Sequence, residues 1–486
     1  MKGFPMAKTT RRQFLRQFSA GAALSVSLPA LVSGPALGLD GNVPANSRVT
    51  MGVIGCGSHS RTWNVPLMLA NRERQIVALC DPDSKHLEAV RNQVDSAYTK
   101  QTGTDSRVSV YRDFRDLVNR KDIDAVDIIT PDHWHVTMAV FAMKAGKHVI
   151  CEKPVLTLKE GLRLVQTQKE TGRIFHTASE TRTIDTSQQI VNIVRNKIIG
   201  ELKNIKVLIP YGNRKRGNMD FNVQPVPEHL DYELWTGPAP LLPYMPGRNH
   251  INWRNHLAYS GGTYPDWSAH YVNLAYWGNG SDETSPIRFS LNRDNPAALW
   301  EFPKEDAPWT TTAGFDVTAE FANGVTMRVW SDNPAVKFEG TEGWVMVKGP
   351  GPYGNVLTAS SESIAKWTPG PNDIDVGRGM EHCTVSRTPG KGVQGIQGGE
   401  HVHFAHCIKS GNAETYYPAR HAFNTDVTGL AGNIAMYHGG LTLQWDPEAK
   451  KFVGENAETA NSSMFFDRPQ RDPWTFEKID SWINVG

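Results

Sequence analysis

A chain of 486 residues has length for two ordinary domains, each with its own core. Its 51 Lys and Arg against 50 Asp and Glu leave a formal charge of +1, which offers nothing to nucleic acid or to an acidic surface. Five widely spaced cysteines, an odd number, argue against a disulfide framework, and 43 Gly and 30 Pro are scattered as turn residues without a repeat.

The N-terminus carries Thr10-Arg11-Arg12-Gln13-Phe14-Leu15-Arg16, the pattern of a twin-arginine export signal. The apolar stretch from Phe18 to Val32, broken by Pro29, is short for a membrane span of ~20 residues and suits a signal. Ala36-Leu37-Gly38 offers small residues for cleavage, with Val32-Ser33-Gly34 as an alternative. Residues 1–38 are therefore expected to be removed, leaving a periplasmic protein. The first cysteine, Cys56, lies too far along to carry a lipid anchor.

Arg48 to Ile54 reads as a buried strand that ends in Gly55-Cys56-Gly57-Ser58-His59-Ser60, with a helix from about Arg61. Further strands are expected at Gln75–Cys80, Val108–Tyr111, Ala125–Ile129 and His148–Cys151, with helices at Asp83–Tyr98 and Val136–Ala145. Alternation at this spacing predicts a doubly wound parallel sheet of Rossmann type over residues 47–171. Residues 172–438 read differently. A strand at Ile174–Ser179, a helix at Ser187–Asn196 and a strand at Leu202–Ile209 precede a long aromatic loop from Tyr211 to Ser260. Helix Asp266–Trp277 and alternating segments at Phe315–Phe321, Thr326–Trp330 and Gly343–Val347 follow, with Asn323-Gly324 as a hairpin turn. A mostly antiparallel sheet with helices on one face is expected, and residues 439–486 are expected to wrap the surface as a tail.

In the glycine loop, Gly55 allows the tight turn and Gly57 lets backbone approach a pyrophosphate, although Ser60 replaces the third glycine. Amides of Ser58, His59 and Ser60 at the helix N-terminus suit phosphate, and Arg61 can add a contact. Asp81, at the end of the second strand, can bind an adenosine ribose hydroxyl and would repel a 2′-phosphate, so NAD is favoured. Asp83 suits helix capping, and Lys85 nearby leaves NADP open.

The chain resembles the Gfo/Idh/MocA oxidoreductases through Gly55 to Arg61, Thr130-Pro131-Asp132-His133-Trp134-His135, Glu152-Lys153-Pro154 and Gly261-Gly262 leading to Asp266 and His270. The resemblance extends through Gly340-Thr341-Glu342-Gly343-Trp344 and Leu443-Gln444-Trp445-Asp446-Pro447. It implies that Lys153, Asp266 and His270 surround the nicotinamide and the substrate hydroxyl. The residue chemistry is consistent with that role. His270, with an ordinary pKa near ~6.5, suits a general base. Asp266, four residues earlier, shares its helix face and can orient the ring or contact a second hydroxyl. Lys153 ends a strand, where its cation can stabilise an alkoxide, and Pro154 restricts its backbone.

Thr130, Pro131, His135 and Glu152 are expected around the cofactor. Arg182, Arg248, Trp253 and Arg254 are expected to line a sugar pocket, although Glu180 stands where relatives place Gln. Aromatics such as Tyr211, Tyr232, Trp235, Tyr244 and Tyr259 suit either sugar stacking or loop packing. His133-x-His135 and His401-x-His403-x-x-His406 lack a completing zinc set, and one solvated helix face accounts for the second cluster, so no metal is expected. All five cysteines are expected to be structural.

Export constrains the reaction. Outside the cytosol a released NADH would not be reoxidised, so a tightly held dinucleotide with redox-neutral turnover is expected. A ping-pong sugar transhydrogenase and a glycoside-cleaving enzyme that oxidises, eliminates and re-reduces both satisfy this; the intact Lys153 favours the oxidoreductase. A non-catalytic sugar binder is the third reading. A carbohydrate partner and a homo-oligomer are expected.

Overall fold

β1 (Val49–Ile54) is buried at five of its six positions, as a strand covered on both faces must be. In the computed structural model, which describes residues 44, 47–103, 105–212, 218–295, 300, 309–349, 356–386 and 398–483, it lies mid-sheet. β2 (Arg74–Cys80), β3 (Ser109–Tyr111), β4 (Ala125–Ile128), β5 (His148–Glu152) and β6 (Phe175–Ala178) complete the order β3-β2-β1-β4-β5-β6, all parallel. The order reverses between β1 and β4, so the ligand crevice falls beyond their carboxyl ends. The expected signal, residues 1–38, lies outside the described residues.

One boundary moves. β6 pairs with β5 from Val149↔Phe175 to Glu152↔Ala178, so the first sheet continues past Thr171. Asp83 caps the helix Ser84–Thr102 as expected, accepting the Lys85 N–H at 2.9 Å.

The second sheet has nine strands. β7 (Leu202–Ile209), β8 (Arg288–Leu291), β9 (Asp316–Glu320), β10 (Thr326–Ser331), β11 (Ala335–Gly340), β12 (Trp344–Lys348), β13 (Val356–Ala359), β14 (Leu443–Asp446) and β15 (Lys451–Val453) run in the order β13-β12-β11-β7-β10-β9-β8-β14-β15. All pairs are antiparallel except β7 with β10. β10 alternates buried and half-buried residues, the mark of one face on a core. Asn323-Gly324 does turn β9 into β10, with Gly324 at φ +83°. Helices Asp185–Arg195, Thr263–Asn279 and Ala419–Tyr437 pack on the sheet and on one another.

The tail is not a surface wrap. β14 and β15 edge the second sheet, and Trp474 and Trp482 are buried within 6.3 and 6.0 Å of the Phe114 ring in the first domain. Pro and Asn content marked the chain turns correctly, but these aromatics supply core at roughly 1.5–3 kcal/mol each. No helix among the described residues is long and apolar enough to cross a membrane.

Candidate active site

A cleft of about 720 Å³ opens beyond β1 and β4, lined by residues of both domains. Gly55 adopts φ +99°, and a Cβ there would stand 2.3 Å from the Ile129 carbonyl oxygen, so the turn admits only glycine. At Gly57 a Cβ would meet nothing within 4 Å, which leaves backbone open to a phosphate. Helix begins at Ser58, three residues earlier than expected, and its turn Ser60–Asn64 widens to π geometry just ahead of Pro66. Ser58, His59, Ser60 and Arg61 all line the cleft, and N–H groups of a first helical turn lack intrahelical acceptors.

Asp81 also lines the cleft. Its Oδ2 accepts the Cys56 N–H at 2.6 Å and its Oδ1 the Asp83 N–H at 2.8 Å, which leaves one lone pair on each oxygen for a ribose diol. Burial pushes its carboxyl up to about 6. These features fit a dinucleotide. Asp81→Ala should weaken NAD binding by about 10–100-fold, the effect of removing one buried acceptor. Titration calorimetry checks it, and single-turnover hydride transfer at saturating NAD should stay close to native.

Lys153 and Asp266 meet at 2.7 Å, Nζ to Oδ1, with both side chains about 10% exposed or less. Arg254 Nε stands 3.7 Å from the other Asp266 oxygen. Burial alone would raise Asp266, but Lys153 and Arg254 overturn it and hold the carboxyl down to about 2. Lys153 is raised by Asp266 against its own burial. Glu152 is likewise held low against burial by His59, whose Nε2 lies 3.1 Å away, and by Lys153.

His270 lines the same cleft, and its Nδ1 lies 3.0 Å from the Ser179 carbonyl. A carbonyl only accepts, so Nδ1 carries the proton and Nε2 is left as an acceptor. Two expectations change here. The ring is oriented by Ser179, not by Asp266, whose carboxylate is taken by Lys153. Burial, then the Lys153 cation, pushes His270 down to about 3, far from an ordinary imidazole. Asp266 and His270 share a helix face as expected, but the division of labour differs.

Thr130, Pro131, His135 and Glu152 reach the cleft as expected. His135 stands between the carbonyls of Pro154 at 3.0 Å and Thr130 at 2.9 Å, and its neutral ring can donate to only one of them. Trp253 and Arg254 also line it, the guanidinium 4.2 Å from the Trp253 ring.

Arg182 and Arg248 do not. Arg182 is buried, paired with Asp282 at 2.6 Å and with Asn273, over the rings of Trp277 and Tyr417. It is a core contact rather than a sugar ligand. Arg248 donates to the Pro243 carbonyl and is 6% exposed. Tyr232, Trp235, Tyr244, Trp253 and Tyr259 pack on one another in a buried cluster of which Trp235 and Trp253 also reach the cleft, so loop packing accounts for Tyr232, Tyr244 and Tyr259. Exposed Tyr211 lines the cleft. Asp132, passed over as part of a motif, also lies in it.

The histidine-rich helix is not one solvated face. His401 is buried with Nε2 at 2.9 Å from Asp127, and Cys407 Sγ, on the same helix, stands 3.3 Å from His403 Nε2. Ligand atoms of His382, Cys383 and His403 lie within 4.8 Å of one another. His403 Nε2 also accepts the Tyr416 N–H at 3.1 Å. All five cysteines are buried and free.

Two family descriptions match successive stretches of the chain. Residues 49–179 match the oxidoreductase family NAD-binding Rossmann fold, and residues 186–302 match the C-terminal alpha/beta domain of the same family. The chain belongs to the Gfo/Idh/MocA oxidoreductase family. A glycosyl hydrolase family 109 protein of Shewanella pealeana is 31% identical over 210 residues, 40% of this chain and 44% of that protein. An uncharacterized oxidoreductase of Rhizobium meliloti is 30% identical over 159 residues, 32% of this chain and 44% of that protein. The chain thus spans under half the length of these curated relatives. Among solved structures, the aldose-aldose oxidoreductase of Caulobacter crescentus aligns with TM-score 0.56 and 17% identity over 82% of this chain and 99% of that one. The WlbA dehydrogenase of Bordetella pertussis, solved with NADH and UDP-GlcNAcA, aligns over the same shares at TM-score 0.56 and 16% identity. At such identity these two share the Gfo/Idh/MocA fold.

Proposed function

We propose that this Gfo/Idh/MocA protein oxidises a hydroxyl of a sugar, polyol or glycoside, with an NAD held throughout and recycled by redox-neutral turnover in the periplasm. The observation that carries this reading is the buried Lys153–Asp266 pair sharing one cleft with His270 and the glycine loop. When bound, the dinucleotide supplies a hydride acceptor and donor. Gly55, Gly57 and the first helical turn would hold its pyrophosphate, and Asp81 its ribose. Lys153 offers a fixed cation to the oxygen of a developing alkoxide, and Asp266 keeps that ammonium in place and charged. Neutral His270 presents Nε2 as the acceptor for the hydroxyl proton. Its low pKa makes it a weak base, so stabilisation of the alkoxide has to do most of the work.

A second reading has its own support. The family 109 glycosyl hydrolases among the relatives favour glycoside cleavage by oxidation, elimination and re-reduction. Both readings start with the same oxidation. The test is optical. Protein purified without added NAD should show the near-ultraviolet absorbance of reduced nicotinamide, rising with one sugar and falling with a second. Release of an aglycone from a chromogenic glycoside would select cleavage. Protein that holds no dinucleotide and gives no response to a panel of sugars would refute both and leave a sugar binder.

A further inference from the structure

Asp83 divides its carboxyl between two tasks. Oδ1 caps the helix Ser84–Thr102, accepting the Lys85 and His86 N–H groups at 2.9 and 3.3 Å. Oδ2 faces histidines, with Nε2 of His250 at 3.6 Å and Nε2 of His229 at 3.8 Å. Ligand atoms of Asp83, His86 and His250 all fall within 4.8 Å of one another, and the His86 and His250 rings lie 4.5 Å apart. One carboxylate thus gathers three imidazoles.

Direct bonding does not account for the gathering. At 3.6 Å and beyond these pairs are not hydrogen bonds, and none of the three rings hydrogen-bonds to a described residue. Nitrogen and oxygen ligands of a tetrahedral zinc ion, on bonds of ~2.0–2.2 Å, stand roughly 3.3–3.5 Å apart. His229 and His250 lie just outside that spacing from Oδ2 and close it with a small side-chain movement. Asp83 is 2% exposed, while the His229 and His250 side chains are 27% and 37% exposed, so an ion can enter from solvent. Imidazoles with one carboxylate and no thiolate suit a borderline divalent ion such as zinc. The cluster at His403 differs, because its Nε2 already accepts the Tyr416 N–H.

The four residues also join two parts of the molecule. Asp83 and His86 follow β2 in the Rossmann domain, whereas His229 and His250 belong to the aromatic segment ahead of Ser260. That segment lies against the exit of β2 through a short antiparallel bridge. The Ser84 N–H donates to the His229 carbonyl at 2.9 Å and the Asp231 N–H to the Pro82 carbonyl at 3.0 Å. Asp81 accepts the Asp83 N–H at 2.8 Å, and His86 and His250 line the same cleft as Asp81. Three separate stretches of chain supply the set, so no local spacing announces it.

We infer that Asp83, His86, His229 and His250 bind a zinc-type divalent ion that clasps the aromatic segment to the Rossmann domain beside the adenosine end of the cleft. The site stands on these residues alone. Its consequence rests on the function proposed above: a closed clasp hinders departure of the dinucleotide and helps to keep it through redox-neutral turnover.

The experiment uses the full chain, freed of metal by a chelator, with zinc(II) and cobalt(II) as probes. One zinc per chain should survive desalting. Bound cobalt should show the visible bands of tetrahedral nitrogen and oxygen ligation without thiolate charge transfer, and this native spectrum decides even where a variant fails to fold. His229→Ala and His250→Ala should each weaken zinc by more than about 100-fold, since loss of a partner behind a ligand already costs roughly 10–100-fold. His382→Ala should leave both signals native. Zinc should raise the affinity for NAD by roughly 5–150-fold, and NAD should raise the affinity for zinc by the same factor. These are binding measurements, so a panel of sugars that gives no response fails the functional reading alone. No retained zinc, a thiolate band, or native zinc affinity in both histidine variants overturns the site. Equal NAD affinity with and without zinc overturns the clasp.

Discussion

Lys153→Met should do two separable things: slow turnover by about 10²–10³-fold and destabilise the folded protein. The slowing follows from the loss of a cation beside the reacting oxygen. The destabilisation follows from what is left behind. Asp266 is buried, and removing one partner of a buried ion pair typically costs about 3–5 kcal/mol. Arg254, 3.7 Å from the other carboxylate oxygen, should hold the effect to the lower part of that range. The sign with pH can be checked. Asp266 titrates at about 2 in the folded protein, below the ~3.9 of an unfolded aspartate. It therefore contributes roughly 2–3 kcal/mol above pH ~4, lost as the pH falls through about 2. In Lys153→Met that contribution shrinks, so denaturant midpoints should drop most at neutral pH and converge with native in acid. Lys153→Arg separates the two effects. It keeps a charge for Asp266 and should restore much of the stability, but a planar guanidinium does not occupy the ammonium position and turnover should stay low. Native turnover in Lys153→Met would remove the residue from the chemistry.

What could be read in the sequence was local. β1, the glycine turn and Asp81 follow from period and spacing within some thirty residues. Lys153 and the Asp266–His270 pair were legible because motif and helical spacing place each of them without long-range information. What escaped depends on partners far along the chain. Arg182 looks like a substrate ligand until Asp282, 100 residues on, takes its guanidinium. The low pKa of His270 depends on burial and on Lys153, neither of which its helix records. Asp132 is an ordinary helix-start aspartate until Ser260, 128 residues away, donates to one oxygen and burial leaves the other unpartnered. β6 and the tail were misplaced for a related reason, since sheet membership is set by the neighbouring strand and core membership by what a tryptophan meets.

His270→Ala should lower kcat by about 10²–10⁴-fold, or roughly 3–5.5 kcal/mol of barrier, with the dinucleotide still bound. The more telling measurement is the pH profile of the native enzyme. A base must be unprotonated to act, and an ordinary imidazole would make kcat/KM fall as the pH drops through ~6.5. Here burial and Lys153 hold His270 down to about 3, so the ring is already neutral across the whole range from there upward. The profile should be flat from mildly acidic to neutral pH, with no limb attributable to His270. Lys153→Met, which removes the nearest cation, should raise the His270 pKa and bring an acid limb into view. His270→Gln supplies an oxygen acceptor in place of Nε2 but cannot carry the proton away. Its failure to rescue the Ala variant would confirm proton transfer, while substantial rescue would reduce His270 to a group that aligns the hydroxyl. A native acid limb near ~6.5 would overturn the low value, because a ligand that fills the cleft excludes more water and can only deepen the desolvation that holds His270 down.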